Sequence, residues 1–135
     1  MATSTNPKDA RAELDRWVLD FTDAFNREDL DAVMAYFADD AFYDEFHGTR
    51  HQGKDAIRAA FEPQFEGTYG KVRFLEEDRF LDVESGKAMI SWTCTLTTRQ
   101  GPGGWRGLDL LKFVDGKLVE KHTYAKTKAP LIEKR

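Results

Sequence analysis

The sequence predicts an α+β fold: a strongly curved antiparallel sheet wrapped around three N-terminal helices, enclosing an apolar pocket open at one end. Three observations lead there. Apolar residues recur with helical spacing up to Phe61, whereas from residue 71 onward the pattern is that of strands. The strand region is cut by hairpin turns and contains no further helix, which gives helices first and strands after rather than an alternating parallel sheet. Finally, 135 residues with 41% apolar and 13% aromatic content supply one core and not two.

Ala10, Leu14, Trp17, Val18, Phe21, Ala24 and Phe25 fall on one helical face, so the first segment reads as an amphipathic helix. Thr5 or Asn6 can cap it, and Pro7 suits its first turn because the N–H that proline lacks would be orphaned there anyway. After a break at Asn26-Arg27-Glu28, Asp29 caps a short helix with Leu30, Val33, Met34 and Phe37 inward. The aromatic stretch Ala41 to His47 is too short for a helix. Gly48-Thr49 turns it into a short strand ending near Gln52. Gly53 precedes a third helix over 54–61, which Pro63 stops or kinks. Strands follow at about 71–83, 87–99, 104–114 and 117–126, separated by Glu84-Ser85-Gly86, Gln100-Gly101-Pro102-Gly103 and Asp115-Gly116. The last of these is the strongest hairpin signal, since a type I′ turn needs positive φ at both central positions.

Composition narrows the function classes. The net charge is −4, and it falls unevenly: residues 1–67 hold seven Lys/Arg against fifteen Asp/Glu, and the remainder thirteen against nine. The basic residues of the second half form no dense stripe, so no nucleic-acid partner is expected. No apolar run is long enough to span a membrane, and the N-terminal stretch has no apolar signal segment. A cytoplasmic protein without a membrane partner is therefore expected. The lone Cys94 and three scattered histidines exclude an internal disulfide and a closed zinc site. No glycine-rich phosphate loop follows a strand. Neither metal nor cofactor is expected.

Three stretches in order, Phe25-Asn26-Arg27-Glu28-Asp29-Leu30-Asp31, Tyr36-Phe37-Ala38-Asp39-Asp40-Ala41 and Gly53-Lys54-Asp55-Ala56-Ile57-Arg58, resemble the ketosteroid isomerase and SnoaL-like branch of the nuclear transport factor two superfamily. Gly107 to Phe113 followed by Asp115 to Glu120 looks like the paired last strands of the same family. The resemblance implies a cone-shaped single domain over 1–135, with 1–6 and 127–135 as flexible ends, and a homodimer formed through the outer sheet face. The superfamily hosts isomerases, cyclases, dehydratases, epoxide hydrolases and non-catalytic binders, so fold alone does not select the activity.

The resemblance places the family's proton-shuttling carboxylate on Glu45 and its protonated oxyanion-hole acid on Asp109. The tyrosine that would be the second oxyanion donor is replaced by Phe21, so efficient steroid isomerisation is not expected. Strand alternation groups Tyr43, Glu45 and His47 on one face and Phe42, Asp44 and Phe46 on the other. The first set can transfer protons and polarise a carbonyl, with Tyr43 able to stand in for the missing tyrosine. The competing reading leaves Glu45 and His47 solvated at the rim. For Asp109, among Leu108, Leu110 and Leu111, the alternatives are a protonated donor in a dry pocket or a structural acid paired with Lys121 or Arg106. Alternation puts Lys121 with Val119, Thr123 and Ala125, and either that face or the one bearing Leu118, Glu120, His122 and Tyr124 could look inward. The family register suggests the first. Cys94 reads as a small core hydrophobe. Trp17, Phe21, Phe61, Phe65, Leu111 and Phe113 are core or pocket wall and argue for an apolar small-molecule ligand. Trp92 and Trp105 line either the cavity or the outer sheet face.

The expected activity is cofactor-independent proton transfer, of isomerase, lyase or cyclase type, on an apolar carbonyl compound. The alternatives are a non-catalytic binder and a protein-interaction module using the sheet face.

Overall fold

Asn6 caps the first helix by accepting a hydrogen bond from the Lys8 N–H at 3.0 Å, and Pro7 occupies the first helical position. In this computed structural model residues 6–129 are described; the expected flexible ends, apart from Asn6 and 127–129, lie outside that range. Helix α1 (Pro7–Asn26) buries all seven apolar residues of the face read from the sequence. Each fully buried large side chain contributes roughly 1.5–3 kcal/mol. Asp29 caps α2 (Leu30–Tyr36) through the Ala32 N–H at 3.0 Å. Val33 and Met34 are buried as expected, while Leu30 is half-buried. Phe37 is buried too, but as the first residue of β1 (Phe37–Asp44), which starts ahead of the expected Ala41 with no intervening loop.

Strand β2 (Arg50–Gln52) pairs back on β1. Gly53, at φ 90°, then turns the chain into α3 (Lys54–Phe65) in a conformation that favours glycine. Pro63 lies inside this helix, which ends two residues later. The remaining strands are β3 (Arg73–Asp82), β4 (Lys87–Thr98), β5 (Gly101–Val114) and β6 (Lys117–Lys126). Gly101-Pro102-Gly103, expected as part of a turn, instead extends β5 by pairing with Thr98, Thr97 and Leu96.

The six strands form one sheet in the order β2-β1-β6-β5-β4-β3. The expectation of a wholly antiparallel sheet needs correction: β1 and β6 run parallel, so the sheet is mixed. The hairpin signals concern strands consecutive in sequence, whereas β6 returns to β1 only after α3 and three further strands. Such a long crossover permits a parallel pair. The curved sheet is not closed. The helices pack on its inner face, where Phe21, Phe25, Phe37 and Phe61 meet at ring-centroid distances of 5.2–6.1 Å.

One irregularity sets the phase of the last strand. Phe113 pairs with Leu118 and Lys112 with Glu120, which leaves Val119 as an extra residue in β6. Leu118 is therefore buried in the core, and from Glu120 onward the alternation is reset so that Lys121 is buried as well. Simple counting, which put Leu118 and Lys121 on opposite faces, fails at this bulge.

Candidate functional site

Between α1, α3 and the inner face of the sheet lies a cavity of about 390 Å³. Phe21, Phe61, Phe74, Trp92 and Cys94 supply much of its apolar wall. Half-exposed Phe46, His47, Tyr69 and Trp105 stand at its open end, and buried Asp109 and Lys121 at its closed end. Trp92 and Trp105 thus both face the cavity. Trp17, Leu111 and Phe113, expected as core or wall, are core: Trp17 packs on Phe113 at 5.8 Å between centroids, and none of the three lines this cavity. Phe65 packs against the core beside Phe25 at 5.7 Å.

Sheet register builds the closed end. Asp109 on β5 lies directly across from Thr123 on β6, and Lys121 is two residues along the same face. On the other side Trp92 pairs with Gly107, again one alternation step from Asp109. Consequently three donors converge on one carboxylate. Oδ2 of Asp109 accepts from the Trp92 indole N–H at 3.2 Å, and Oδ1 accepts from Thr123 Oγ1 at 2.5 Å and from Lys121 Nζ at 3.1 Å. Lys121 also donates to Thr123 Oγ1 at 2.7 Å, and its ammonium lies 4.3 Å from the Tyr43 ring centroid, a cation–π distance. Of the two alternatives for Asp109, this geometry is that of a paired acid, with Lys121 as its partner. Arg106 instead holds Glu77, through Nη2 to Oε2 at 2.7 Å.

Tyr43 is buried on β1 beside Lys121, its register partner on β6, and stacks on Phe61 at 4.8 Å. Burial, with the charges of Glu45 and Asp109 on either side, pushes its hydroxyl well above the usual phenol range, while a hydrogen bond with Thr123 acts in the opposite sense. It is a phenol at any ordinary pH.

Glu45 follows the last residue of β1. Its N–H donates to Thr49 O at 2.9 Å and its own carbonyl accepts from Gly48 N–H, so residues 45–49 form a tight turn. The turn ends strand alternation at Asp44, which is why Phe46 and His47 both line the cavity although the sequence pattern placed them on opposite faces. The Glu45 carboxylate is gripped by two imidazoles: His51 Nε2 lies 2.6 Å from Oε1 and His47 Nε2 lies 2.5 Å from Oε2. Sequence reasoning missed His51. The signal was available in the hairpin register, which places His51 directly opposite Tyr43, where the two rings stack at 5.7 Å.

Glu45, His47 and Tyr43 therefore share one cavity with Asp109 and Lys121, while Phe21 presents only a hydrocarbon ring to it. Among the described residues no group of three or more His, Cys, Asp or Glu side chains is arranged to hold a metal ion. Cys94, fully buried, has its thiol pushed up to about 11 by burial, which suits a packing role.

Comparison with known proteins now bears on this geometry. A family model described as the SnoaL-like domain matches residues 18–121. The chain belongs to the SnoaL-like family. No curated protein matches it in sequence. Among solved structures, a candidate polyketide cyclase of Xanthomonas campestris pv. campestris superposes on this SnoaL-like chain with a TM-score of 0.74 at 22% identity, covering 85% of this chain and 91% of that one. An NTF2-like protein of unknown function from Mesorhizobium loti gives 0.74 at 24% identity, covering 90% and 98%. The protein TerC, co-crystallised with polyporic acid, gives 0.70 at 13% identity, covering 84% and 92%. Likeness at identities this low shows the fold alone. No helix among the described residues is long and apolar enough to cross a membrane.

Proposed function

We propose that this SnoaL-like protein carries out cofactor-independent proton transfer, of the isomerase, lyase or cyclase type, on an apolar carbonyl compound, with Glu45 as the base. The observation that carries the reading is the Glu45 carboxylate, fixed by His47 and His51 on the wall of a largely apolar cavity. A base must be held in place to act on a weak carbon acid, and an aromatic cavity excludes the water that would compete for the proton. Two structural neighbours, a candidate polyketide cyclase and a protein co-crystallised with polyporic acid, are in keeping with carbonyl-bearing ligands.

The reading is tested by incubating the protein in heavy water with a panel of cyclic ketones and 1,3-diketones and following loss of the α-proton signal by NMR. Protein-dependent exchange that disappears in Glu45→Gln supports it. Exchange equal in Glu45→Gln and wild type would leave a non-catalytic binder, the reading favoured by the full set of donors already engaged on Asp109.

A homodimer is also part of the proposal. The outer sheet face exposes Phe80, Leu110 and Tyr124, at 63%, 41% and 55%, on β3, β5 and β6. Charged Lys87, Lys112 and Glu120 flank them, an apolar centre with a mixed-sign rim suited to a self-complementary contact.

A further inference from the structure

The polar groups at the closed end of the cavity can be accounted for donor by donor. Both oxygens of Asp109 accept: Oδ2 from Trp92, Oδ1 from Thr123 and Lys121. The one hydroxyl proton of Thr123 is committed to Asp109, and its oxygen receives Lys121. The Tyr43 hydroxyl, also on the cavity wall, is held as a neutral phenol and carries no charge of its own. Lys121 differs from all of these. An ammonium carries three N–H donors, and only two are spent, on Asp109 and Thr123. Around the third, among the described residues, lie ring faces rather than acceptors: Tyr43 at 4.3 Å, Phe61 at 5.6 Å and Phe25 at 5.8 Å. Lys121 is 4% exposed, yet it lines the cavity.

We infer that Lys121 is the oxygen-binding donor of this site, taking the role that neither Phe21 nor Asp109 can fill, and that the ligand presents to it an oxygen bearing or developing negative charge on a flat apolar frame: an enol, an enolisable ketone or a phenol. Asp109 and Thr123 then act as positioning residues that hold the ammonium by two of its three protons and aim the third. This rests on the proton-transfer reading above. When Glu45 takes the α-proton, the C–H electron pair becomes the new C=C bond and the carbonyl π pair moves onto oxygen. The charge that arises there is met by Lys121. A full positive charge in a water-poor cavity stabilises such an oxygen more strongly than a neutral hydroxyl would. Because Asp109 offsets that charge before the ligand arrives, the cavity favours a ligand that ionises within it over a permanent anion drawn from solution.

The test uses para-nitrophenol, whose ionised and neutral forms absorb at different wavelengths, titrated with the protein at a pH below the probe's own ionisation in water. Wild type is expected to bind the probe as phenolate. Lys121→Met combined with Asp109→Asn removes both charges and so avoids an unpaired buried ion; it should bind the probe in its neutral form and about tenfold more weakly, or worse. Asp109→Asn alone should increase the phenolate fraction, because the ammonium is no longer offset. A merely structural role for the pair would not produce that sign. In Glu45→Gln the probe should still bind as phenolate, its phenolate fraction raised rather than lowered because a carboxylate on the cavity wall is lost, so failure of the base assignment, read from α-proton exchange, and failure of the Lys121 assignment register separately. A neutral or unbound probe with wild type, or a phenolate spectrum that survives in the double variant, overturns the inference.

Discussion

The ammonium of Lys121 sits 3.1 Å from the carboxylate of Asp109, with side-chain exposures of only 5% and 12%. A pair so placed gives little net stability of its own, because desolvation offsets most of the attraction, yet losing one member strands the other. Asp109→Asn is therefore expected to lower the unfolding free energy by about 3–5 kcal/mol, and Lys121→Met by a similar amount. The double variant should lose much less than the sum. Urea unfolding of the four proteins checks this, and additive losses would show that the two residues do not act as a pair.

His51 has the same kind of relation to Glu45. With 22% side-chain exposure it is more enclosed than His47, at 42%, and it is braced by stacking on Tyr43. His51→Ala should reduce Glu45-dependent proton exchange by roughly ten- to a hundredfold through misplacement of the base, and His47→Ala by less. The turnover number should fall more than the affinity for the ketone. Restoration by His51→Gln, which keeps an N–H donor, would separate positioning from a need for imidazole itself. Equal exchange rates in wild type and His51→Ala would remove His51 from the site.

Much of this architecture was legible in the sequence, and the failures have local causes. Helix α1 was read residue by residue because a long amphipathic period is redundant: seven buried positions agree on one face. Asp29 and Asp115-Gly116 were legible because capping and tight turns impose strict side-chain and backbone requirements. The β1–β6 pairing was not, since nothing local to either strand records a partner brought back by a long crossover. Lys121 could not be oriented by alternation because the bulge at Val119 changes the phase within β6. Phe46 was placed on the wrong face for a related reason: the turn beginning at Glu45 ends the strand one residue too early for the pattern to apply. The family resemblance points to Glu45 and Asp109, whereas the partners of Asp109 are legible only once register brings Trp92, Thr123 and Lys121 around it.

Gly107 marks a close approach behind the site. A Cβ there would fall 2.4 Å from the Tyr124 carbonyl oxygen and 2.7 Å from the Trp92 ring. Gly107→Ala must displace either the β6 backbone or the indole that donates to Asp109, and is expected to cost about 1–3 kcal/mol by overpacking. Loss of stability together with a changed Trp92 fluorescence environment is the expected result. An unchanged unfolding midpoint would mean that the strand relaxes freely at this point.

The exposed face across β3, β5 and β6 predicts self-association. Leu110→Glu places a charge at the centre of the patch opposite its own copy, so light scattering after size exclusion should show a dimer for wild type and a monomer for the variant. A wild-type monomer at tens of micromolar, taken as a rough concentration where an interface of standard size persists, would count against the dimer.

Acid sensitivity should be concentrated where β1 meets β2. Arg50 forks onto Asp44, with Nε to Oδ1 at 2.6 Å and Nη2 to Oδ2 at 2.9 Å, and His122 Nδ1 lies 3.0 Å from the same carboxylate. The hydrogen bonds from Arg50, ahead of its charge and that of His122, hold the Asp44 carboxyl below the usual carboxylate range even though partial burial works against them. A depressed folded-state value means that the unfolded chain binds the proton more readily. The contribution is thus fully present above the unfolded value of about 4 and is lost as pH falls from there through the folded value. Since the pair is partly solvated, the amount is of order 1 kcal/mol or less. Arg50→Gln should reduce stability at pH 7 while making it less dependent on pH below about 4, so that the stability curves of wild type and variant converge at the acid end. Parallel curves down to the lowest pH at which the fold survives would show that Arg50 supports the hairpin by packing over the Phe42 ring, 3.8 Å from its centroid, rather than through the charge on Asp44.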